Sequence, residues 1–267
     1  MPELPEVETN VRRLRPDLTG QTITDVQLNW PRHVVLPTPA EFQTLLPGRT
    51  VTGLGRRGKY IIIELAPAGR TLLIHLGMSG QLSVVPADAR PDKHAHTILA
   101  LDNGRQLRFS DTRKFGKLYL PVDRQQVLGK LGPEPLSPEF TAGWLTKKLA
   151  QRRRVIKPLL LQQNFIAGIG NIYADESLHR AGVDPRRPAN SLEPAEAAAL
   201  HASIREVLAE AIEHQGTTFD WVYPDGEMQE RLRVYGRGGR PCPTCGTPIE
   251  RIVLGQRGAH FCPQCQQ

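Results

Sequence analysis

Cysteine is missing from most of the 267-residue chain: all four cysteines lie in its last 26 residues. A secreted disulfide fold would spread its cysteines along the sequence, so this distribution argues for a reducing, cytoplasmic compartment. Long apolar runs are also missing. None approaches the roughly 18 residues that a membrane-spanning helix needs, and nothing is expected to cross a bilayer. The opening MPELPEVETNVRR carries three acids and no apolar stretch, so it reads as neither signal nor transit peptide. There is no internal repeat and no low-complexity tract. Acids are in deficit, 27 against 34 Lys plus Arg, which leaves a formal charge of +7. Excess positive charge points to a polyanionic partner, although many basic proteins bind nothing of the kind. What is present, 39% apolar and 23% charged residues, is a globular balance with length for one large or two medium domains.

After an opening helix, the first half predicts short strands over Thr24–Trp30, Thr50–Leu54, Tyr60–Leu65, Thr71–Leu76, Gln81–Val85, Thr97–Leu101, Gln106–Phe109 and Lys117–Leu120. Breakers such as Pro47-Gly48 and Asp102-Asn103-Gly104 separate them, the pattern of an antiparallel sandwich or barrel. The segment LGPEPLSPEF, 131–140, has three prolines in ten residues and reads as a linker. Helical patterns follow over Thr141–Gln163 (broken just before Pro158), Asn171–Ala181, and Pro194–Gln215 with Gly216 as its stop. The chain thus divides into 1–130, a linker 131–140, a helical part 141–230, and a small cysteine-bearing module 231–267.

Cys242-Pro-Thr-Cys245 and Cys262-Pro-Gln-Cys265 stand sixteen residues apart, within the spacing of a four-cysteine zinc site. Two such knuckles aim four thiolates at one Zn²⁺ and leave no open position, which makes the metal structural. A redox pair or two disulfides are the alternatives, and neither needs this paired spacing. Arg231, Arg233, Arg237, Arg240, Arg251 and Arg257 surround the cysteines with Glu250 the single acid, so the module suits phosphate contacts. Other basic features read two ways. Lys147, Lys148, Arg152, Arg153, Arg154 and Lys157 are either a solvated helix face or a phosphate-tracking surface. The turn Ala167-Gly168-Ile169-Gly170-Asn171 lets backbone approach another surface closely, with Asn171 placed to cap the next helix. Such a turn is either a packing device or an anion site at a helix N-terminus.

The N-terminus is a chemical group in its own right. Pro5 fits the first helical position, Glu6 and Glu8 the first turn, Arg12, Arg13 and Arg15 the last, and Pro16 the stop. Leu4, Val7, Val11, Leu14 and Leu18 form an apolar stripe that anchors the helix. If Met1 is removed, Pro2 becomes a free secondary amine. With a pKa of about 7.8 against about 10.4 for lysine, roughly 14% of such an amine is neutral at pH 7, versus about 0.04%. A secondary amine attacks a carbonyl-like carbon to give an iminium, and the neighbouring Glu3 could move the protons. Most Met-Pro starts are nonetheless inert.

Taken jointly, PELPEVET (2–9), LGMSG (76–80), KHAH (93–96), DTRKFG (111–116), GIGNIYADE (168–176) and VYGRGGRPC through FCPQCQ resemble the bacterial formamidopyrimidine-DNA glycosylase family. The resemblance runs in order along nearly the whole chain. It implies an α+β fold: an antiparallel β-sandwich with an N-terminal helix, a helix-two-turn-helix domain, and a zinc-finger β-hairpin. It also implies a monomeric base-excision-repair enzyme that removes 8-oxoguanine and formamidopyrimidines from damaged double-stranded DNA and then cuts the strand by β,δ-elimination. Pro2 is then the Schiff-base nucleophile and Glu3 the proton shuttle. Lys59 holds the lesion phosphate, and Arg257 assists the second elimination. His94, Arg113, Arg153, Asn171 and Tyr235 match DNA-contacting positions. Met78, Arg113 and Phe115 match the trio that fills the hole left by the extruded base; read from composition alone, Met78 and Phe115 are core residues and Lys59 an ordinary strand-start lysine. One segment departs from the family pattern: after Gly216-Thr217-Thr218, FDWVYPDGEMQERL is shorter than the lesion-capping loop and lacks its Gly-Tyr-Phe.

A zinc-dependent DNA-binding protein without activity would share the charge and the cysteines but leave PELPE unexplained. An endonuclease VIII-like enzyme for oxidised pyrimidines would share the architecture, while Leu4, LGMSG and DTRKFG favour the purine branch. Arginine and proline richness, with 23 prolines, fits either a hot growth temperature or a GC-rich genome.

Overall fold

The computed structural model describes residues 1–90, 92–218 and 226–267. The first seven residues of the FDWVYPDGEMQERL segment fall outside the described residues. The chain forms two compact units, one built around Glu6–Lys130 with Met1–Pro2, the other from Glu3–Pro5, Leu131–Thr217 and the C-terminal residues to Gln267.

In the first unit, helix α1 (Leu4–Leu18) presents Val7, Val11, Leu14 and Leu18, all buried. Pro16 sits inside this helix and does not end it, and Pro5 is its second residue. A proline near a helix end forfeits one N–H bond, and burial of Leu14 and Leu18 carries the helix one residue pair further. Strands β1 (Ile23–Leu28) and β2 (Val34–Leu36) follow, then helix α2 (Pro39–Leu45), strands β3 (Thr50–Arg57), β4 (Tyr60–Ala66), β5 (Thr71–His75), β6 (Gly80–Pro86), β7 (Ala95–Leu101), β8 (Arg105–Asp111) and β9 (Lys117–Tyr119), and helix α3 (Gln125–Leu128). All eight expected strands form, within a few residues at their ends.

They make a four-stranded antiparallel sheet, β1-β7-β8-β6, and a five-stranded sheet, β2-β9-β5-β4-β3. Among the described residues, only the β2–β9 pair is parallel. Apolar residues from both sheets, among them Val26, Leu99, Phe109, Ile61, Ile63 and Ile74, share one core with α1. Not foreseen were β2 and α2, although Thr38 and Glu41 close a capping box at the start of α2.

The second unit contains helices α4 (Ala142–Ala150), α5 (Ile156–Leu160), α6 (Asn171–Ala181) and α7 (Pro194–Glu213), then strands β10 (Glu250–Leu254) and β11 (Arg257–Phe261) in an antiparallel hairpin. The helical pattern 141–163 breaks earlier than expected, over 151–155, where Arg152 and Arg154 carbonyls accept from Asn190 and Ala189 N–H at 2.9 and 2.8 Å. Pro158 lies inside the first turn of α5, where a missing N–H costs nothing. Gly182, in the left-handed region at φ 71°, closes α6. Tyr173, Leu178, Leu200, Leu208 and Phe140 centre a helical core to which Leu4 also belongs. Among the described residues, no helix is long and apolar enough to cross a membrane.

Candidate active site

A chain terminus ordinarily frays unless something ties it down. Here Leu4 N–H donates to the Gly168 carbonyl at 3.0 Å. The Glu3 carboxylate accepts from the N–H groups of Gly170 (2.8 Å), Ile172 (2.9 Å) and Tyr173 (3.3 Å). These are the open donors at the start of α6, so Glu3, 2% exposed, does for that helix what an N-cap side chain would do. Asn171 therefore is not the cap: Gly170 holds that position without a side-chain bond, and Asn171 is the first helical residue. The glycine-bearing turn is indeed a close approach, and the approaching surface is the chain's own N-terminal peptide. A Cβ on Gly170 would lie 2.3 Å from Glu3 Cδ, and one on Gly168 (φ 87°) 2.7 Å from a Leu4 methyl carbon. Pro2, next to this anchored residue, is buried, while Met1 is half exposed.

Asn171, Tyr235 and Arg257 lie around the same helix start. The Asn171 amide bonds the Tyr235 hydroxyl; burial raises the Tyr235 pKa, while the Arg257 charge pulls it the other way. Arg257 is exposed beside the two-residue turn Gly255-Gln256 of the hairpin, opposite Leu254. Arg153 is exposed in the 151–155 break.

Two acids that sequence reasoning left unassigned, together with Lys157 of the basic run, build the frame. Glu176, buried in α6, accepts from the N–H groups of Arg233, Val234 and Tyr235 at 2.8–3.0 Å, which fixes the Tyr235 segment. Burial pushes its carboxyl pKa up, against those hydrogen bonds. Asp175 pairs with Lys157 at 2.6 Å, both side chains fully buried, and accepts from His260 N–H at 2.9 Å. Lys157 Nζ also donates to the Gly258 carbonyl at 2.5 Å. Lys157 thus leaves the basic surface run: it ties the hairpin that carries Arg257 to α5 and α6. Adjacent acids between the apolar residues Ile172, Ala174 and Leu178 were the available signal.

The four cysteine Sγ atoms lie within 4.8 Å of one another. Cys242–Cys265 and Cys245–Cys262 separations are 3.9 and 3.5 Å. Those are too long for disulfides and close to the ~3.8 Å edge of a tetrahedron with Zn–S bonds of ~2.3 Å. The four thiols fit one Zn²⁺, and among the described residues no fifth His, Cys, Asp or Glu joins the cluster, as in a structural site. His179 on α6, buried and held neutral with its pKa lowered to about 4 chiefly by burial, places Nε2 3.6 Å from Cys242 Sγ.

The first unit carries the remaining predicted residues. Lys59 occupies the two-residue Gly58-Lys59 turn between β3 and β4, yet it is 5% exposed, unlike an ordinary strand-start lysine. With burial as the main cause, its charge helps hold His75 down to about 4. His94 is half-buried, its N–H bonded to Asp92 at 2.8 Å. Phe115 is 50% exposed with the Arg113 guanidinium 5.3 Å over its ring, so it is not a core residue. Met78 is partly exposed in the turn before β6.

Three domain descriptions match the chain: the formamidopyrimidine-DNA glycosylase N-terminal domain over 1–118, its H2TH domain over 131–221, and the zinc finger found in FPG and IleRS over 239–267. A formamidopyrimidine-DNA glycosylase of Roseiflexus sp. is 49% identical over the whole of both chains. That of Symbiobacterium thermophilum is 48% identical over all of this chain and 89% of its own. Among solved structures, the MutM (Fpg) protein of Thermus thermophilus matches with a TM-score of 0.89 at 44% identity, over 99% of this chain and 98% of its own. Lactococcus lactis Fpg bound to DNA containing an abasic site matches with a TM-score of 0.92 at 38% identity, over 99% of both chains. With its four cysteines converging and its N-terminal peptide locked to a helix start, this chain belongs to the formamidopyrimidine-DNA glycosylase family.

Proposed function

We propose that this chain is a base-excision-repair DNA glycosylase with abasic-site lyase activity, acting on 8-oxoguanine and formamidopyrimidines in duplex DNA. The observation that carries the reading is the anchored N-terminus. Three N–H groups of α6 hold Glu3, and that fixes the amine of the preceding residue once Met1 is removed. A rigid, neutral-capable secondary amine is a poised nucleophile.

The lesion nucleotide must leave the stack, because its glycosidic carbon is out of reach inside a duplex. Met78 and Phe115 fill the vacated space, and the Arg113 guanidinium satisfies the orphaned opposite base. The Pro2 nitrogen then bonds to the sugar C1′ as the C1′–base bond breaks, the base leaving with the electron pair. Glu3 takes the proton that the newly bonded Pro2 nitrogen sheds and delivers it to the ring oxygen; the bond from C1′ to that oxygen breaks, the ring opens, and a C1′ iminium remains. The iminium acidifies C2′; loss of that proton expels the 3′ phosphate, and a second elimination expels the 5′ phosphate. Lys59 holds the lesion phosphate during the first elimination, and Arg257 assists the second. His94, Arg153, Asn171 and Tyr235 contact the backbone. Cys242, Cys245, Cys262 and Cys265 hold one Zn²⁺, whose contribution is to fold the hairpin that presents Arg257.

The test is trapping. With duplex DNA carrying 8-oxoguanine opposite cytosine, borohydride should give a covalent adduct at residue 2, because reduction turns the iminium into a stable amine. Retained Met1 would leave a tertiary amide with a delocalised lone pair, so active protein should lack Met1 by mass spectrometry. An adduct at Lys59, or none despite tight lesion binding, would overturn the reading.

A further inference from the structure

We infer that Asp111 is the positioning residue of the base wedge: one buried carboxylate clamps the Met78 loop and the Arg113–Phe115 loop into a single rigid piece. The inference rests on the wedge reading above. Asp111 is 0% exposed, yet among the described residues no guanidinium or ammonium group pairs with it. Its bonds go instead to the two loops. Oδ1 accepts from Ser79 Oγ at 2.5 Å and from Arg113 N–H at 3.2 Å; Oδ2 accepts from Gly116 N–H at 2.7 Å. Ser79 Oγ in turn accepts from Arg113 N–H at 3.0 Å, which closes a ring through both loops. The Asp111 N–H donates to the His94 carbonyl at 3.0 Å, so a third DNA-facing segment is tied to the same residue.

The loops are also pressed together where they have no side chains. A Cβ on Gly77 (φ 67°) would lie 2.7 Å from Gly116 N, and Cβ atoms on Gly80 and Gly116 would meet the Phe109 ring at 2.7 and 2.3 Å. Behind the carboxylate, His33 is fully buried with Nε2 3.8 Å from Oδ2; burial lowers its pKa to about 4, so it supplies no cation at neutral pH. A buried carboxylate without a charged partner is costly, and hydrogen bonds to it are the strong, directional kind. Such a group is unexplained by packing, but it suits two loops that must hold exposed side chains in fixed register. Phe115 and Arg113 are both exposed, Phe115 at 50%, so surrounding packing does little to hold them.

Asp111→Asn keeps the shape and one acceptor, but it turns an NH₂ toward either Gly116 N–H or the Ser79–Arg113 pair. The wedge loosens while the Pro2 end of the chain is untouched. Excision of 8-oxoguanine opposite cytosine should fall about tenfold or more, ~1.4 kcal/mol in the barrier. Cleavage of a preformed abasic site, which needs no base extrusion, should change little. In a Phe115→Ala background the Asp111→Asn change should cost almost nothing further, because the wedge it positions is gone; a merely structural role would be additive. Ser79→Ala, which removes the bridging hydroxyl and leaves the Gly116 bond, should show the same split at smaller size, and it serves if Asp111→Asn does not fold. Equal losses on lesion and abasic DNA, or additive losses with Phe115→Ala, would overturn the inference while leaving the glycosylase standing. Failure of the unsubstituted protein to form the residue-2 adduct would instead remove the reading beneath it.

Discussion

Gly170→Ala is the sharpest probe of the anchored N-terminus, because one methyl group meets one residue. Gly170 has φ −132° and ψ −158°, extended backbone that alanine adopts freely, so the substitution carries no conformational strain. The three nearest atoms to the added Cβ are all from Glu3: Cδ at 2.3 Å, Oε1 at 2.4 Å and Cγ at 2.6 Å. Ordinary contact begins near 3.4 Å, so the carboxylate must move by about 1.1 Å. That shift breaks its bonds to Gly170, Ile172 and Tyr173 and strands N–H donors in a buried place, at a cost of about 1–3 kcal/mol for each left unmade. A displacement of about 1 Å at a reacting group costs on the order of 10²-fold in rate.

Single-turnover excision of 8-oxoguanine should therefore drop by about that factor. Affinity for DNA carrying an uncleavable abasic analogue should hold. The control is built in. Removing the Glu3 side chain removes the clash, so in a Glu3→Ala background Gly170→Ala should no longer lower the melting temperature. Wild-type excision by Gly170→Ala, or an equal thermal loss in both backgrounds, would refute the reasoning.

Cys245→Ser should lower zinc content below one per chain and weaken DNA binding together, while the β-sandwich stays folded; full zinc with undiminished binding would contradict a structural clamp. Stability should also depend on acid pH through buried histidines. His33 and His75 are each lowered from 6.5 to about 4, with burial the largest cause. Between those values the folded chain keeps them neutral while the unfolded chain binds the proton, so stability falls as pH drops from about 6.5 toward 4. Fully buried His33 contributes a slope of up to ~1.4 kcal/mol per pH unit across that window. Urea midpoints measured from pH 7 to 4 should fall, less steeply for His33→Leu; equal slopes in the two proteins would show that His33 is protonated in the fold.

Local signals were legible in the sequence and long-range ones were not. The eight strands and the 171–181 helix follow from alternation, breakers and a closing glycine, all within a few residues of each other. The cysteine pairs are legible for the same reason, since each knuckle spans four residues and the hairpin between them is short. Pro158 misled because proline is tolerated in a first turn, and Pro16 because burial of Leu14 and Leu18 outweighs the one N–H bond it forfeits. Lys157 illustrates the larger limit. Among Lys147, Lys148 and three arginines it is one more surface cation by composition. Only the fold reveals Asp175 on another helix and the Gly258 carbonyl 101 residues away. Glu3 is alike: in the sequence it reads as a proton shuttle beside Pro2, while the N–H groups that hold it lie 167–170 residues on.

That pattern also explains why α6 carries so much of the second unit. Its first turn takes Glu3, its next residues Asp175 and Glu176 take the hairpin and the Tyr235 segment, and His179 reaches Cys242. Eleven residues at ~1.5 Å each set these attachments along about 16 Å of one rigid helix. A helix transmits position better than a loop does, because its backbone bonds leave no soft dihedral between one attachment and the next. The N-terminal peptide and the zinc hairpin therefore share a single reference frame. An acid that reads as helix filler in the sequence is, in the fold, the fastening of a distant segment.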